Sequence, residues 1–360
     1  MLCVRRPQGL GNALGEAVRI GIAHAAGKYT VPNGSGTQLS DGSGAIHALG
    51  LRTVKLYLSS DYLADYPLQA SWSSTPANLT QLAQTSQFAG ELSKDWASVV
   101  LTCFTFANGS TNWWRVNPTA AKLSAEYAEI RALAEHLLSA YNGTGREFVL
   151  QNWEGDWAFM DSTVVETHVS RELVDRYVAF LGTRQRAVED ARKAVASDCR
   201  VLNAVEANRV LDAREKPHLR RIARDISERI SPDVVSYSAY DSTIVEQGGW
   251  GASHAAWEQA TVPAFTKALR ALKAAFPGAE LQVGEFGFPE NEAPPGANLD
   301  SMIRVVHEIC RAEGVARLIY WQVFDNENGA GGAGTYRGFW VRTPAGALTP
   351  SGQTLQALGA

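Results

Sequence analysis

The chain has 360 residues, of which 45% are hydrophobic and 19% are charged, and its formal net charge is -4 at pH 7. This length and balance are typical of one elaborated globular domain with a large core. A slightly acidic chain has no general attraction for nucleic acid or anionic membranes, and no apolar run is long enough to cross a bilayer, so we expect neither as a partner.

The chain begins with a glycine-rich segment. Arg5 and Arg6 are followed by residues 7–15, which lack the apolar stretch of a secretory signal peptide. We therefore interpret residues 1–17 as an N-terminal extension. No signal peptide is predicted, so we expect either a cytoplasmic protein or a secreted chain that has been trimmed.

Short apolar runs rich in β-branched residues recur along the chain, starting roughly every 35 to 50 residues. This spacing is typical of strands that alternate with helices. The predicted strands are 18–23, 53–58, 98–104, 148–153, 201–205, 234–238, 281–285 and 318–323.

Helical patterns occupy the segments between these runs. Asn117 can act as an N-cap with Pro118 in the first turn, ahead of apolar residues at helical spacing. Asn298 can cap another helix, which should end at Gly314. Residues 173–181 also repeat at helical spacing.

Eight βα units without an intervening linker predict an α/β fold, a single (β/α)8 TIM barrel with enlarged βα loops. We expect one catalytic barrel domain spanning residues 1–360, with residues 339–360 as the closing segment. An open, doubly wound parallel sheet is the alternative, because strand order cannot be read from the sequence.

Two carboxylates stand where a predicted strand meets its loop. Glu154 follows the fourth run and Glu285 ends the seventh. The active site of such a barrel lies at the C-terminal ends of its strands, and the fourth and seventh strands face each other across the mouth. One carboxylic acid that protonates a leaving oxygen, paired with one carboxylate that attacks, is the machinery of glycoside hydrolysis.

The motifs around these positions resemble clan GH-A glycoside hydrolases, the retaining superfamily that includes the family 5 cellulases and mannanases. Glu285, in the run Gly-Glu-Phe-Gly, resembles the nucleophile motif of the seventh strand. Trp321, in Tyr-Trp-Gln, resembles the eighth-strand motif whose tryptophan is a platform for a sugar ring. Tyr240 stands where the clan often has a residue that hydrogen-bonds the nucleophile.

The resemblance implies a retaining glycoside hydrolase that acts on a carbohydrate without a metal ion or an organic cofactor. It implies that Glu285 is the nucleophile, that Glu154 is the acid/base and that Asn152 contacts the sugar 2-hydroxyl. Trp157 is one of several tryptophans near predicted strand ends, where aromatic faces suit sugar rings. Asn152, Trp157, Tyr240 and Trp321 are therefore the candidate substrate-binding residues.

The fourth strand departs from the clan pattern. The clan usually has Asn and the acid/base Glu side by side, whereas Trp153 separates Asn152 from Glu154 here. If the strand stays extended through Glu154, the two side chains share one face and both can face the pocket. Asp156 remains an alternative acid, and Glu206 is interpreted as a hydrogen-bonding or ion-paired group near the fifth strand.

Other chemistries have weaker support. Residues 329–334 formally match G-x-G-x-x-G, but no helical pattern follows, so we interpret them as a flexible loop rather than a dinucleotide site. The seven histidines lack metal-ligand spacing, although His24 could line the pocket. The cysteines are far apart and predict free thiols, with a disulfide left possible: Cys3, Cys103, Cys199 and Cys310. A carbohydrate-binding barrel without catalysis, a lyase and a metal-dependent hydrolase remain alternatives.

Overall fold

The structure is a computed structural model, and it describes residues 17–25, 37–67, 69–109, 112–116, 118–244, 253–293, 296–329, 331–332 and 334–360. Eight parallel strands pair in chain order and close into a barrel. They are β1 (Arg19–His24), β2 (Thr53–Ser59), β3 (Ser98–Phe104), β4 (Glu147–Gln151), β5 (Arg200–Ala207), β6 (Val234–Ser238), β7 (Glu280–Phe286) and β8 (Arg317–Tyr320). The closed order confirms the predicted (β/α)8 barrel and excludes the open sheet.

The helices surround the barrel, and several short ones lie in the enlarged βα loops. They are α1 (Gln38–His47), α2 (Tyr62–Asp65), α3 (Leu79–Gln84), α4 (Ser86–Leu92), α5 (Trp113–Val116), α6 (Ala120–Ala140), α7 (Gly155–Met160), α8 (Arg171–Ala194), α9 (Val210–Glu215), α10 (Ile222–Asp225), α11 (Tyr240–Thr243), α12 (His254–Ala275), α13 (Leu299–Ala312) and α14 (Pro350–Gly359). A 3-10 turn, Glu290–Glu292, follows β7. None of the described helices is both long enough and apolar enough to cross a membrane.

Helix capping follows the sequence signals closely but not everywhere. The Asn298 side chain accepts the backbone N–H of Ser301 at 3.1 Å and begins α13, which ends before Gly314 as expected. Helix α6 begins later than expected, because Thr119 rather than Asn117 is its N-cap and accepts the N–H of Lys122 at 3.3 Å. Asn117 lies outside the described residues, as do Cys3 and nearly all of the N-terminal extension.

The strands are buried on both faces, which explains why they read as continuous apolar runs. Every residue of β4, β6, β7 and β8 is buried. The outward faces pack against the helices, and the inward faces form a separate apolar layer inside the barrel. This inner layer consists of Ala23, Val100, Val149, Leu202, Ala204, Val234 and Ile319.

A buried ion network closes the N-terminal end of the barrel. Arg317 is 0% exposed, and its guanidinium donates to Glu280 Oε2 at 2.9 and 2.8 Å and lies 3.4 Å from Glu147 Oε1. Arg200 joins both glutamates from β5. We assign this network a structural role, because the chemistry of such barrels lies at the other end.

A chain of polar side chains leads from this network toward the mouth. Arg317 Nε donates to Gln282 Oε1 at 2.9 Å, and Gln282 Nε2 donates to Gln151 Oε1 at 3.0 Å and to Ser236 Oγ at 3.1 Å. Ser236 Oγ in turn donates to Glu206 Oε1 at 3.2 Å. Hydrogen bonds along the chain offset the cost of burying these polar groups, and they connect the ion network to the carboxylates of the mouth.

Candidate active site

Glu285 lies at the C-terminal end of β7, where the pairing of the sheet is irregular. The register with β6 shifts between Ser236 and Ser238, and Ser238 then pairs with Glu285. The register with β8 shifts over the same part of β7. Because a bulge changes the direction of the side chains that follow it, Glu285 is turned into the mouth although Gln282 already faces inward.

Gly284 permits this geometry. A Cβ at Gly284 would lie 2.1 Å from Ser236 Oγ and 2.5 Å from Glu206 Oε1, distances that real Cβ atoms do not adopt. The glycine before Glu285 is therefore required by the close approach of β7 to the polar chain. This gives a physical reason for the Gly-Glu pair that the sequence singled out.

Lys55, on β2, is the direct partner of Glu285. Its Nζ donates to Glu285 Oε1 at 2.7 Å and to the Gly284 carbonyl at 3.2 Å, and both side chains are almost fully buried. Burial lowers the pKa of Lys55, but the charges of Glu206 and Glu285 outweigh burial and raise it. Lys55 therefore carries a positive charge beside Glu285.

Lys55 is not among the candidate residues predicted from the sequence. The available signal was a lysine inside the otherwise apolar run of the second strand, at an inward position of the alternation. A charge on the inner face of a barrel strand needs a partner, since an unpaired buried charge is costly. The partner itself cannot be read from the sequence, because it stands 230 positions away.

Glu154 lies in the tight connection between β4 and α7. Strand β4 ends at Gln151, and Glu154 is the residue that precedes the first turn of α7. A Cβ at Gly155 would lie 2.2 Å from the Glu206 carbonyl oxygen and 2.4 Å from Ile222 Cδ1, so the chain passes directly against β5 at this point. The strand therefore does not stay extended through Glu154, which was the condition for Asn152 and Glu154 to share one face.

The half-buried Glu154 side chain lies within electrostatic reach of three buried groups, Glu285, Glu206 and Lys55. Burial raises the pKa of Glu154 well above its ordinary value, and the negative charges of Glu285 and Glu206 raise it further. The positive charge of Lys55 acts in the opposite direction and does not offset them. These surroundings favour the protonated form of the Glu154 carboxyl group.

Asn152 does not take the position that the clan pattern implies. Its Oδ1 accepts the backbone N–H of Glu206 at 3.1 Å, and its Nδ2 donates to the Trp153 carbonyl at 2.9 Å and to Tyr177 Oη at 3.1 Å. Only 4% of the residue is exposed. Because β4 ends at Gln151, two residues before the predicted end, Asn152 lies in the loop and its amide makes its hydrogen bonds within the protein.

Asp156 is a structural carboxylate. Its Oδ2 accepts the backbone N–H groups of Asn208 and Arg209 at 2.9 and 3.0 Å, and its Oδ1 accepts that of Ile222 at 2.9 Å. The residue is 0% exposed. With both oxygens bound to backbone and no access to the cleft, Asp156 is a poor alternative to Glu154 as the acid.

Glu206, on β5, joins the cluster as a third carboxylate. It is 0% exposed, and its Oε1 lies 3.8 Å from Lys55 Nζ. Burial raises the pKa of Glu206 to about 7; Lys55 opposes this rise and Glu285 adds to it. The interpretation of Glu206 as an ion-paired or hydrogen-bonding group agrees with these contacts.

Two tyrosines border the carboxyl groups. Tyr240 begins α11 directly after β6, and burial together with the charges of Glu285 and Glu154 raises its pKa well above the ordinary value. Tyr57, two residues after Lys55 on β2, has a similarly raised pKa, caused by burial and then by Glu285. Both hydroxyls therefore stay protonated near the cluster, although the hydrogen bonds between described residues do not include one from Tyr240 to Glu285.

Trp321 follows β8 and is half-buried at the mouth. Its Nε1 donates to Glu327 Oε1 at 3.1 Å, and Glu327 Oε2 accepts from Arg337 Nη1 at 2.7 Å. Arg337 also pairs with Glu292 beyond β7. Glu327 and Arg337, on the segment after β8, thus fix the indole of Trp321 through successive hydrogen bonds and ion pairs.

Trp157 and His24 occupy less central positions. Trp157 lies on α7 with the Arg209 guanidinium 5.3 Å from its ring centre. His24 ends β1, is buried, and its Nε2 lies 2.8 Å from the Gln38 carbonyl oxygen. Burial lowers the pKa of His24 to about 4, so the ring is neutral and packs inside the protein. Among the described residues, no His, Cys, Asp and Glu side chains group in a way that could hold a metal ion.

The fold and the site define a class of structure: a (β/α)8 barrel with one carboxylate in the loop after β4 and another at the end of β7. No family model matches the chain, and no curated protein matches it. Solved structures do match it, and glycoside hydrolases are prominent among them.

Three of these structures span nearly the whole chain. The GH5_18 protein of Streptomyces cattleya, in complex with Manβ1-4GlcNAc, is 16% identical over 95% of this chain and 80% of its own, with a TM-score of 0.61. The exo-β-1,4-mannosidase of Opitutaceae bacterium strain TAV5 is 13% identical over 99% of this chain and 62% of its own, with a TM-score of 0.61. The GH5-4 broad specificity endoglucanase of Clostridium acetobutylicum is 15% identical over 95% of this chain and 96% of its own, with a TM-score of 0.54. This likeness confirms the barrel fold and its similarity to the family 5 barrels.

Proposed function

We propose that the protein is a retaining glycoside hydrolase, with Glu285 as the nucleophile and Glu154 as the acid/base. The observation that carries the proposal is the contrast between the two carboxyl groups. Glu285 accepts a hydrogen bond from the Lys55 ammonium at 2.7 Å, whereas burial and neighbouring negative charge raise the pKa of Glu154 well above its ordinary value. Two carboxyl groups with opposite surroundings at one site can divide the roles of acid and nucleophile.

In the first step, a Glu285 oxygen forms a bond to the anomeric carbon as the glycosidic C–O bond breaks. The leaving oxygen takes the bonding electron pair and the proton of Glu154. In the second step, Glu154 removes a proton from water, the water oxygen attacks the anomeric carbon, and the bond to Glu285 breaks. The configuration of the anomeric carbon inverts once in each of the two steps, so the product retains the configuration of the substrate.

The aromatic groups at the mouth suit the apolar face of a sugar ring. Trp321, fixed by Glu327, is the proposed platform, and Tyr240 and Tyr57 offer hydroxyl groups near the reacting carboxylates. Trp157 remains a proposed outer contact. Asn152 is withdrawn from the substrate-binding set because its hydrogen bonds are made within the protein.

The substrate class that we propose is a β-linked glycoside. Similar structures are named for β linkages: an exo-β-1,4-mannosidase, a β-glucuronidase and a complex with Manβ1-4GlcNAc.

The test is hydrolysis of a panel of aryl β-glycosides and β-linked disaccharides, with proton NMR of the first product formed. We expect turnover of at least one β-glycoside and an initial β-anomer. Release of the α-anomer first would replace the double displacement with an inverting mechanism. Binding of the panel without turnover would instead favour a carbohydrate-binding barrel.

A further inference from the structure

Lys55, Glu206 and Glu285 form a buried group of two carboxylates and one cation. Lys55 and Glu206 are both 0% exposed and Glu285 is 4% exposed. Lys55 Nζ lies 2.7 Å from Glu285 Oε1 but 3.8 Å from Glu206 Oε1, so it hydrogen-bonds the first carboxylate and only approaches the second. The proposed mechanism uses Glu285 and leaves Glu206 without a role.

Glycosylation removes the partner of Lys55. When Glu285 forms a bond to the anomeric carbon, its carboxylate becomes a neutral ester. The ammonium of Lys55 stays where it is, inside the barrel. A buried cation that loses its counter-ion is strongly destabilised, so the glycosyl-enzyme requires a second anion near Lys55.

The geometry points to Glu206 as that anion: a positioning residue that takes over as the counter-ion of Lys55 while Glu285 is esterified. This inference rests on the proposed function. With both carboxylates ionised, the three groups carry a net charge of -1 before attack, and in the glycosyl-enzyme the Lys55–Glu206 pair is neutral. The second carboxylate therefore favours nucleophilic attack and stabilises the intermediate.

Glu206 is held in place for this exchange. Ser236 Oγ donates to its Oε1 at 3.2 Å, and its backbone N–H donates to Asn152 Oδ1 at 3.1 Å. Lys55 is the mobile partner, because an ammonium on a flexible four-carbon stem can redirect its three N–H groups. A small movement of Nζ closes the 3.8 Å separation to a hydrogen bond.

The charged and titratable groups around Glu206 give this exchange a pH dependence. They are Lys55 from β2, Glu285 from β7, Glu154 from the β4 loop, and the hydroxyls of Tyr57 and Tyr177. Burial raises the pKa of Glu206 to about 7. Above this pH, Glu206 is already ionised and no proton has to move when the intermediate forms; below it, Lys55 is left without an anion.

The experiment is stopped-flow measurement of the dinitrophenolate burst, using the dinitrophenyl glycoside of a sugar that the wild type hydrolyses. This leaving group needs little acid assistance, so the burst reports attack by Glu285 and not protonation by Glu154. We expect Glu206→Gln to slow the burst at least about tenfold. The later steady state, which follows hydrolysis of the intermediate, should change less than the burst.

The pH profile separates this role from a structural one. In the wild type the burst rate should rise as the pH passes about 7, the pKa of Glu206, and Glu206→Gln should remove that rise. Glu206→Asp keeps the charge and should restore part of the burst rate. Ser236→Ala removes a hydrogen bond that lowers the pKa of Glu206, so the rise should move to higher pH with its plateau preserved.

Equal slowing of both steps by Glu206→Gln, with the rise near neutral pH intact, contradicts the inference and leaves hydrolysis by Glu154 and Glu285 standing. An unshifted rise in Ser236→Ala contradicts it as well, even if Glu206→Gln does not fold. Absence of any turnover by the wild type refutes the proposed function itself and this inference with it.

Discussion

Glu154 and Glu285 are the same amino acid in different surroundings, and the difference comes from single neighbours. Lys55 donates a hydrogen bond to Glu285, whereas burial and two nearby carboxylates raise the pKa of Glu154. A carboxylic acid kept protonated by its site is ready to donate to a leaving oxygen. The same surroundings reduce the stability of the folded protein once that acid ionises.

Glu154→Gln should therefore stabilise the protein at high pH. The pKa of Glu154 is raised on folding, so wild-type stability falls as the pH rises from the unfolded value of about 4.5 through the folded value. Glutamine has no proton to lose. Thermal unfolding should give nearly equal Tm values at about pH 4 and a higher Tm for the variant at about pH 8. A difference in Tm that is independent of pH contradicts the raised pKa.

Some residues of the site were predicted from the sequence to lie at the mouth, and others were not. Glu285 was predicted to lie at the mouth because a short motif and a strand end coincide there. Lys55 was not, because contacts across a barrel depend on how the strands are staggered. The contacts of Asn152 could not be predicted, because β4 ends at Gln151, two residues before the predicted end, and the direction of the following side chains depends on where the strand ends.

Among the elements, β7 and the loop after β4 position the two carboxylates. Eight strand positions could be predicted to within a few residues, since strands buried on both faces are apolar throughout. The bulge in β7 could not, because its cause is the close packing of Gly284 against side chains of β5 and β6. The start of α6 was predicted too early, since its N-cap is Thr119.

Gly284→Ala should damage both stability and activity. Its Cβ would lie 2.1 Å from Ser236 Oγ, and overpacking of this kind costs about 1 to 3 kcal/mol. The matched control is Gly182→Ala in α8, where a Cβ would meet nothing within 4 Å. That change should add about 0.5 to 1 kcal/mol to the free energy of unfolding. Urea unfolding measures both, and equal effects of the two substitutions contradict the packing of β7.

Asp156→Asn should destabilise the loop after β4 without removing the acid. Asparagine cannot accept all three backbone N–H groups that Asp156 binds, so we expect a loss of about 2 to 4 kcal/mol. Asp161→Asn is the control, because Asp161 is exposed and adopts a φ of 55° that asparagine tolerates. Hydrolysis per folded molecule should stay within about tenfold of the wild type. A far larger loss of activity in folded Asp156→Asn restores Asp156 as the acid.

Over the whole molecule, polar groups are arranged along the barrel interior from the N-terminal to the C-terminal ends of the strands. An ion network around Arg317 closes one end, a polar chain through Gln282 and Ser236 crosses the interior, and the carboxylate cluster lies at the other end. The closed order of eight strands is what brings Lys55 of β2 to Glu285 of β7. The alternation of strands and helices predicted this architecture, whereas the polar interior emerged only from the folded structure.

The most direct test of the central claim is the hydrolysis rate of Glu285→Gln and Glu154→Gln on an activated aryl β-glycoside and on one with a poor leaving group. Glu258→Gln, the same change on an exposed side chain, is the control. Loss of the nucleophile should reduce the rate on both substrates by at least about 10³-fold. Loss of the acid should reduce it about 10² to 10⁴-fold on the poor leaving group and far less on the activated one. Full rates for folded Glu285→Gln on both substrates would contradict the account.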